Sequence, residues 1–192
     1  RVIITYMIEG EANKSQELYV EPRSRTTILV NDQVGEGKNV SASVEGYHGD
    51  SIVVERAMYW NGGTGGHCAA GVNAPEQEWY LAEGSTAGGF ETWVLVQNPG
   101  KDKAKVNLTY MTASGPKDGP KFTMDPFSRK TFNVADTVPG DWQVSTVVGA
   151  DKPVIAERAV YWNGRQGGHC AAGVNWPERE WYLAEGSTAG GF

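Results

Sequence analysis

Through the middle of the chain, apolar and polar positions alternate with a period of two rather than 3.6, the mark of strands rather than helices. Trp93, Val94, Leu95 and Val96 lie in TWVLVQNPG, which ends in an Asn-Pro-Gly turn signal. Val106, Leu108 and Tyr110 alternate with Asn107, Thr109 and Met111, and Phe122 and Met124 with Lys121 and Thr123. Thr131–Val134, Val144–Val148, the β-branched and aromatic run Val154–Trp162, and Trp79–Ala82 complete the set. No window combines helix caps with a helical period. About seven strands in roughly 100 residues is the arithmetic of an immunoglobulin-like sandwich. The predicted fold class is therefore all-β: tandem immunoglobulin-like antiparallel β-sandwiches of about 100 residues. The Cys…Trp…Cys pattern of antibody domains is missing, so the expectation concerns architecture only.

The pattern occurs twice. Glu55–Phe90 and Glu157–Phe192 agree at 31 of 36 positions, offset by 102 residues. Earlier segments align more loosely at an offset of 104: ITYMIEG with LTYMTASG, and EPRSRTTILVND with DPFSRKTFNVAD. A period this long is one small domain, not a solenoid repeat. The expected organisation is an incomplete first repeat over residues 1–78, a complete repeat over 79–180, and at 181–192 the first strand of a following repeat. That last segment, which carries Trp181, Tyr182, Leu183 and Phe192, is expected to pair with a neighbouring unit by strand addition. Trp79, Tyr80 and Leu81 are its equivalents in the complete repeat and are candidate junction residues.

The strings WYLAEGSTAGGFETWVLVQNPG, VNLTYMT, PFSRKTFNV and PVIAERAVYWNG resemble a bacterial secreted or cell-surface tandem repeat family. That family has WYFAEGST-like starts and an LxNP turn, and nearly the whole chain is covered by the likeness. A departure is the cysteine that follows GGH in both repeats (Cys68, Cys170). The resemblance implies an exported, extracellular or cell-surface structural or adhesive protein, and it transfers no catalytic residue.

Candidate chemistry adds little to this. Cys68 and Cys170 occupy equivalent positions; units stacked end to end would hold them on the order of 40 Å apart, against the roughly 7 Å that a disulfide tolerates. A buried thiol and an interchain disulfide both remain open. The pairs His67–Cys68 and His169–Cys170 are too few for a metal site of three or four ligands, and no cofactor signature is present. The Gly-rich stretch Asn163–Asn175 lacks the helix that a phosphate loop requires and reads as a long surface loop. Glu55–Arg56 and Glu157–Arg158 interrupt apolar strands. Neighbours in a strand face opposite sides, so neither pair is an acid–base couple; one residue of each is expected to enter a covered interface and form a structural ion pair there. Trp60, His67, Trp162 and His169 are candidate glycan contacts if exposed, and packing residues if covered.

The net charge of −6 argues against nucleic acid as a partner. No run approaches the roughly 18 apolar residues of a membrane helix, so no membrane insertion is expected of this segment. Two readings follow: a non-enzymatic stalk, adhesin shaft or filament whose partner is itself, or an adhesion module for surface glycans.

Overall fold

The computed structural model describes residues 1–190. The chain is mostly β, and its paired strands are antiparallel. In order they are β1 (Val2–Ile8), β2 (Lys14–Leu18), β3 (Val40–Gly46), β4 (Glu55–Trp60), β5 (Gly65–Ala70), β6 (Glu76–Leu81), β7 (Glu91–Asn98), β8 (Ala104–Thr112), β9 (Gly115–Met124), β10 (Ser128–Asn133), β11 (Val144–Trp162) and β12 (Gly167–Ala172). One five-residue helix, α1 (Val30–Val34), lies between β2 and β3. No helix among the described residues is long and apolar enough to cross a membrane.

The second unit is built around β11, a 19-residue strand where the sequence suggested two. Its first half pairs with β8 on one side and β6 on the other, with Val148 opposite both Leu108 and Trp79. Its second half pairs with β7 and β12, with Ala156 opposite Val96 and Ala159 opposite Cys170. β9 extends the first layer beside β8, and β10 extends the second beside β7. The register with β6 shifts between Gly149 and Val154, where one layer gives way to the other.

Both layers close on one core. Trp79, Leu81, Leu108, Tyr110, Val148 and Met124 of one layer meet Val94, Val96, Val154 and Ala156, all of them buried. Each fully buried aliphatic side chain contributes about 1.5–3 kcal/mol. The Trp79 indole Nε1 donates to the Val154 carbonyl at 2.8 Å, which settles the polar edge of a buried ring. Asn98 is also buried, and its amide donates to the Asp102 and Asp125 carbonyls at 2.9 Å each. Its Oδ1 accepts from Gly100 N at 3.0 Å, so this side chain fixes the Asn-Pro-Gly turn.

The first unit repeats part of this plan. β1, β2 and β3 form a sheet in the order β2-β1-β3, matching β9, β8 and the first half of β11. The hairpin β4–β5 matches the second half of β11 with β12. No described strand stands to β3 as β6 stands to β11, nor to β4 as β7 does. The consequences are local. Residues 24–29, equivalent to β10, have no counterpart of β7 to pair with and are irregular. The stretch between β3 and β4 is also irregular, with Val53 99% exposed. The smaller core consists of Val2, Ile4, Tyr6, Ile8 and Val34.

Two expectations are corrected here. The stretch Asn163–Asn175 is not a long loop: it is a tight turn at 163–166 followed by β12. Its glycines lie beneath rings on the partner strand, where a Cβ on Gly167 would come 2.4 Å from Trp162 and one on Gly168 2.6 Å from Tyr161. Gly65 under Trp60 and Gly66 under Tyr59 repeat the arrangement. In addition, the equivalent hairpins are not a domain length apart. β5 packs against β12 and β1 against β10, so the two units lie side by side along these elements.

Candidate functional site

Of the residues singled out in the sequence, Arg56, Glu157, Cys170, Trp60 and His67 meet at the contact between the two units. Strand parity sends Glu157, Ala159 and Tyr161 out of the second unit's core, toward the first unit. Ala159 is 4% exposed. Arg56 of β4 lies across from them. Its Nη2 is 3.2 Å from Glu157 Oε2 and donates to Cys170 Sγ at 2.9 Å. The Cys170 thiol in turn donates to Glu157 Oε2 at 3.4 Å. Burial pushes the Cys170 thiol pKa up, and the Glu157 carboxylate adds to this, partly offset by the Arg56 cation. Cys68, at the equivalent position on β5, is exposed, and both cysteines are free thiols. Arg158, on the opposite face of β11, donates to the Glu83 carboxylate instead. Glu83 also lies 3.5 Å from His169 Nε2. The Glu55 side of β4 is exposed.

The aromatic candidates fall into two groups, one around Tyr161 and one around Trp162. Trp60 meets Tyr161 edge-on at 5.4 Å between centroids and His67 at 5.4 Å. His67 Nε2 is 3.3 Å from the Tyr161 hydroxyl. Burial, then the nearby Arg56 cation, hold His67 below its ordinary pKa. Trp162 lies 5.9 Å from His169 and 6.0 Å from Phe90. Burial followed by Arg158 lowers His169 as well. Trp60 Nε1 donates to the Arg165 carbonyl, tying the β4–β5 turn to the β11–β12 turn. Arg165 has φ of +65° and is held by Glu91 at 2.7 and 3.0 Å.

A second set of contacts, between β1 and the β7–β10 edge, was not visible in the sequence. Arg129, with a side chain 3% exposed, donates through Nη1 to Glu9 Oε2 at 2.6 Å. Thr131 Oγ1 donates to the same carboxylate at 3.3 Å. Gln97 Nε2 donates to Met7 Sδ at 3.4 Å, and Met7 is 1% exposed although it faces away from Tyr6 and the first unit's core. Asn13 donates to the Phe127 carbonyl at 2.6 Å.

Among the described residues no cluster of three or more His, Cys, Asp or Glu is placed to hold a metal ion. Trp79 and Leu81 are core residues and Tyr80 is half-buried on β6, bonded through its backbone to Val174. Trp181, Tyr182 and Leu183 are exposed and in no strand. Phe192 lies outside the described residues.

No protein-family model matches the chain. No curated protein matches it either. Among solved structures, it is similar to the crystal structure of Thermotoga maritima 1070, at 15% identity and TM-score 0.48, over 52% of this chain and 94% of that one. It is also similar to the Anabaena sensory rhodopsin transducer, at 18% identity and TM-score 0.40, over 46% of this chain and 91% of that one.

Sequence reasoning missed Glu9, Arg129, Gln97 and Met7, which join positions 90 to 120 residues apart. The one available signal was charge. Arg129 sits within the alternating pattern of a strand, where an unpaired guanidinium is costly to bury.

Proposed function

We propose that this chain is a non-enzymatic structural segment of an exported, extracellular or cell-surface protein. Its repeats are immunoglobulin-like units joined through a built contact to make a stalk, adhesin shaft or filament. The observation that carries this reading is the contact of Arg56 with Glu157, made by residue types that stand in both repeats, beside the Arg129–Glu9 pair, in which a buried guanidinium of one unit is settled by a carboxylate of the other. Leaving such a charge unpaired costs several kcal/mol, so the two units favour a fixed relation over free swivelling. Arg56, Glu157, Cys170, Trp60 and Tyr161 extend the contact along the hairpins.

The immunoglobulin-like assignment draws on the strand count and on two adjacencies, β7 with β10 and β8 with β11, which match the B–E and C–F pairs of that fold. The sharing of β11 between both layers departs from it. Negative-stain electron microscopy of the chain, and of longer stretches of the same repeat, tests the proposal. Stiff particles that lengthen by a constant step per repeat are expected. Beads on a flexible string, or a compact globule that does not lengthen, would overturn it.

A further inference from the structure

The two units differ in one edge, and the difference is measurable. In the second unit β6 covers one edge of β11, and the inward side chains beneath it are closed off: Val144 is 3% exposed, Thr146 4% and Val148 0%. Their counterparts on β3 are Val40, Ala42 and Val44. Val40 and Val44 are only partly buried and Ala42 is exposed. β3 pairs with β1 on one edge, and among the described residues no strand pairs with the other. The adjoining stretch tells the same story, with Ile52 37% exposed where its counterpart Val154 is 0%.

The strand that fits this edge is present elsewhere in the same chain. Trp181-Tyr182-Leu183 repeats Trp79-Tyr80-Leu81 of β6. The earlier copy buries Trp79 and Leu81 to 3% each, whereas Trp181 is 57% exposed, Tyr182 88% and Leu183 89%. Exposed large apolar side chains in one segment and an unpaired strand edge in another each call for a partner.

We propose that Trp181–Leu183 of one molecule adds as an antiparallel strand to the free edge of β3 in a second copy of this chain. This rests on the structural reading above and names the partner it leaves open. The register is set by β6 on β11, where Leu81 faces Thr146, Tyr80 faces Val147 and Trp79 faces Val148. Transferred by the repeat, Leu183 lies opposite Ala42, Tyr182 opposite Ser43 and Trp181 opposite Val44. The same correspondence sets Glu185 against Arg56, as Glu83 is set against Arg158; in the single chain Arg56 is turned to Glu157 instead. Donor and acceptor lie on different units, so the contact is head-to-tail. Such contacts close into rings where the rotation allows and otherwise grow open chains.

The test places cysteines in the full chain in a Cys68→Ser, Cys170→Ser background. Ser43→Cys with Tyr182→Cys should give a ladder of disulfide-linked oligomers on a nonreducing gel after oxidation with oxidised glutathione. Ser41→Cys with Tyr182→Cys, two residues out of register, should give little or none. Equal ladders in both registers, monomers only in both, or a disulfide within one molecule would each overturn the proposal. A second measurement avoids engineered cysteines. A fluorescent synthetic peptide of residues 181–192 should bind the unmodified chain saturably, and its Trp181→Ala version should bind about tenfold or more weakly. Absence of binding, or equal binding of the two peptides, would again count against it. Stiff rods seen without ladders or peptide binding would remove strand addition and leave the stalk reading standing.

Discussion

Arg129 of β10 reaches out of its own unit and ends on Glu9, just past β1, at 2.6 Å, with its side chain 3% exposed. The counterpart of Glu9 in the second unit is Ala113, so the repeat does not copy this pair. Glu9→Gln removes the countercharge and leaves a buried cation. The expected loss is about 3 kcal/mol, the lower end for breaking a buried pair, since Glu9 itself is 29% exposed. Urea titration followed by Trp fluorescence checks this. The Glu9→Gln, Arg129→Met double variant should recover part of the loss, because the stranded charge is gone.

A different constraint governs the glycines of β12. A side chain at Gly167 would meet the Trp162 ring 2.4 Å away. Gly167→Val is therefore expected to lower stability by about 1–3 kcal/mol, the usual cost of overpacking. Adding Trp162→Ala makes room, so the double variant should lose less than the sum of the two single variants. Thermal unfolding of the four proteins closes the cycle.

These glycines also explain what could be read in advance and what could not. β7 and β8 were legible because every second side chain is buried, alternating with half-buried ones in β7 and mostly exposed ones in β8. β12 was not, because Gly-Gly-His-Cys-Ala-Ala carries no apolar pattern, and the rings of Trp162 and Tyr161 on the partner strand fill the space instead. The continuity of β11 was hidden by the polar stretch Gly149–Pro153, which spans the change from one layer to the other. At the site, parity alone separated Glu157 from Arg158, and the structure sends them to opposite sides. Their partners lie 75 and more residues away, a distance over which local patterning carries no information.

The cysteines should react at very different rates. Cys68 is exposed, whereas Cys170 is partly buried against Arg56 and Glu157. Because burial and Glu157 raise the Cys170 thiol pKa, little of it is thiolate near neutral pH, and the thiolate is the reactive form. Labelling with a maleimide at pH 7, followed by peptide mass mapping, should modify Cys68 first by a wide margin. Equal rates would mean that Arg56 does not cover Cys170 in solution.

Acid should lower the stability of the fold before it titrates the carboxylates. His67 and His169 both have pKa values held below 6.5, chiefly by burial. Between their folded values and 6.5 the unfolded chain binds more protons than the folded one, so stability falls as pH falls through this window. Glu17 and Glu91 are shifted below 4.5, and their contribution is lost only at lower pH. Thermal melts between pH 7.5 and pH 5 therefore isolate the histidines. The melting temperature should drop on acidification, and His67→Gln should flatten the drop. It removes the titrating ring beside Arg56 while leaving a side chain that can still bond to the Tyr161 hydroxyl. An unchanged slope in His67→Gln and in His169→Gln would show that neither ring is held neutral in the folded chain, and would place the acid sensitivity elsewhere in the fold.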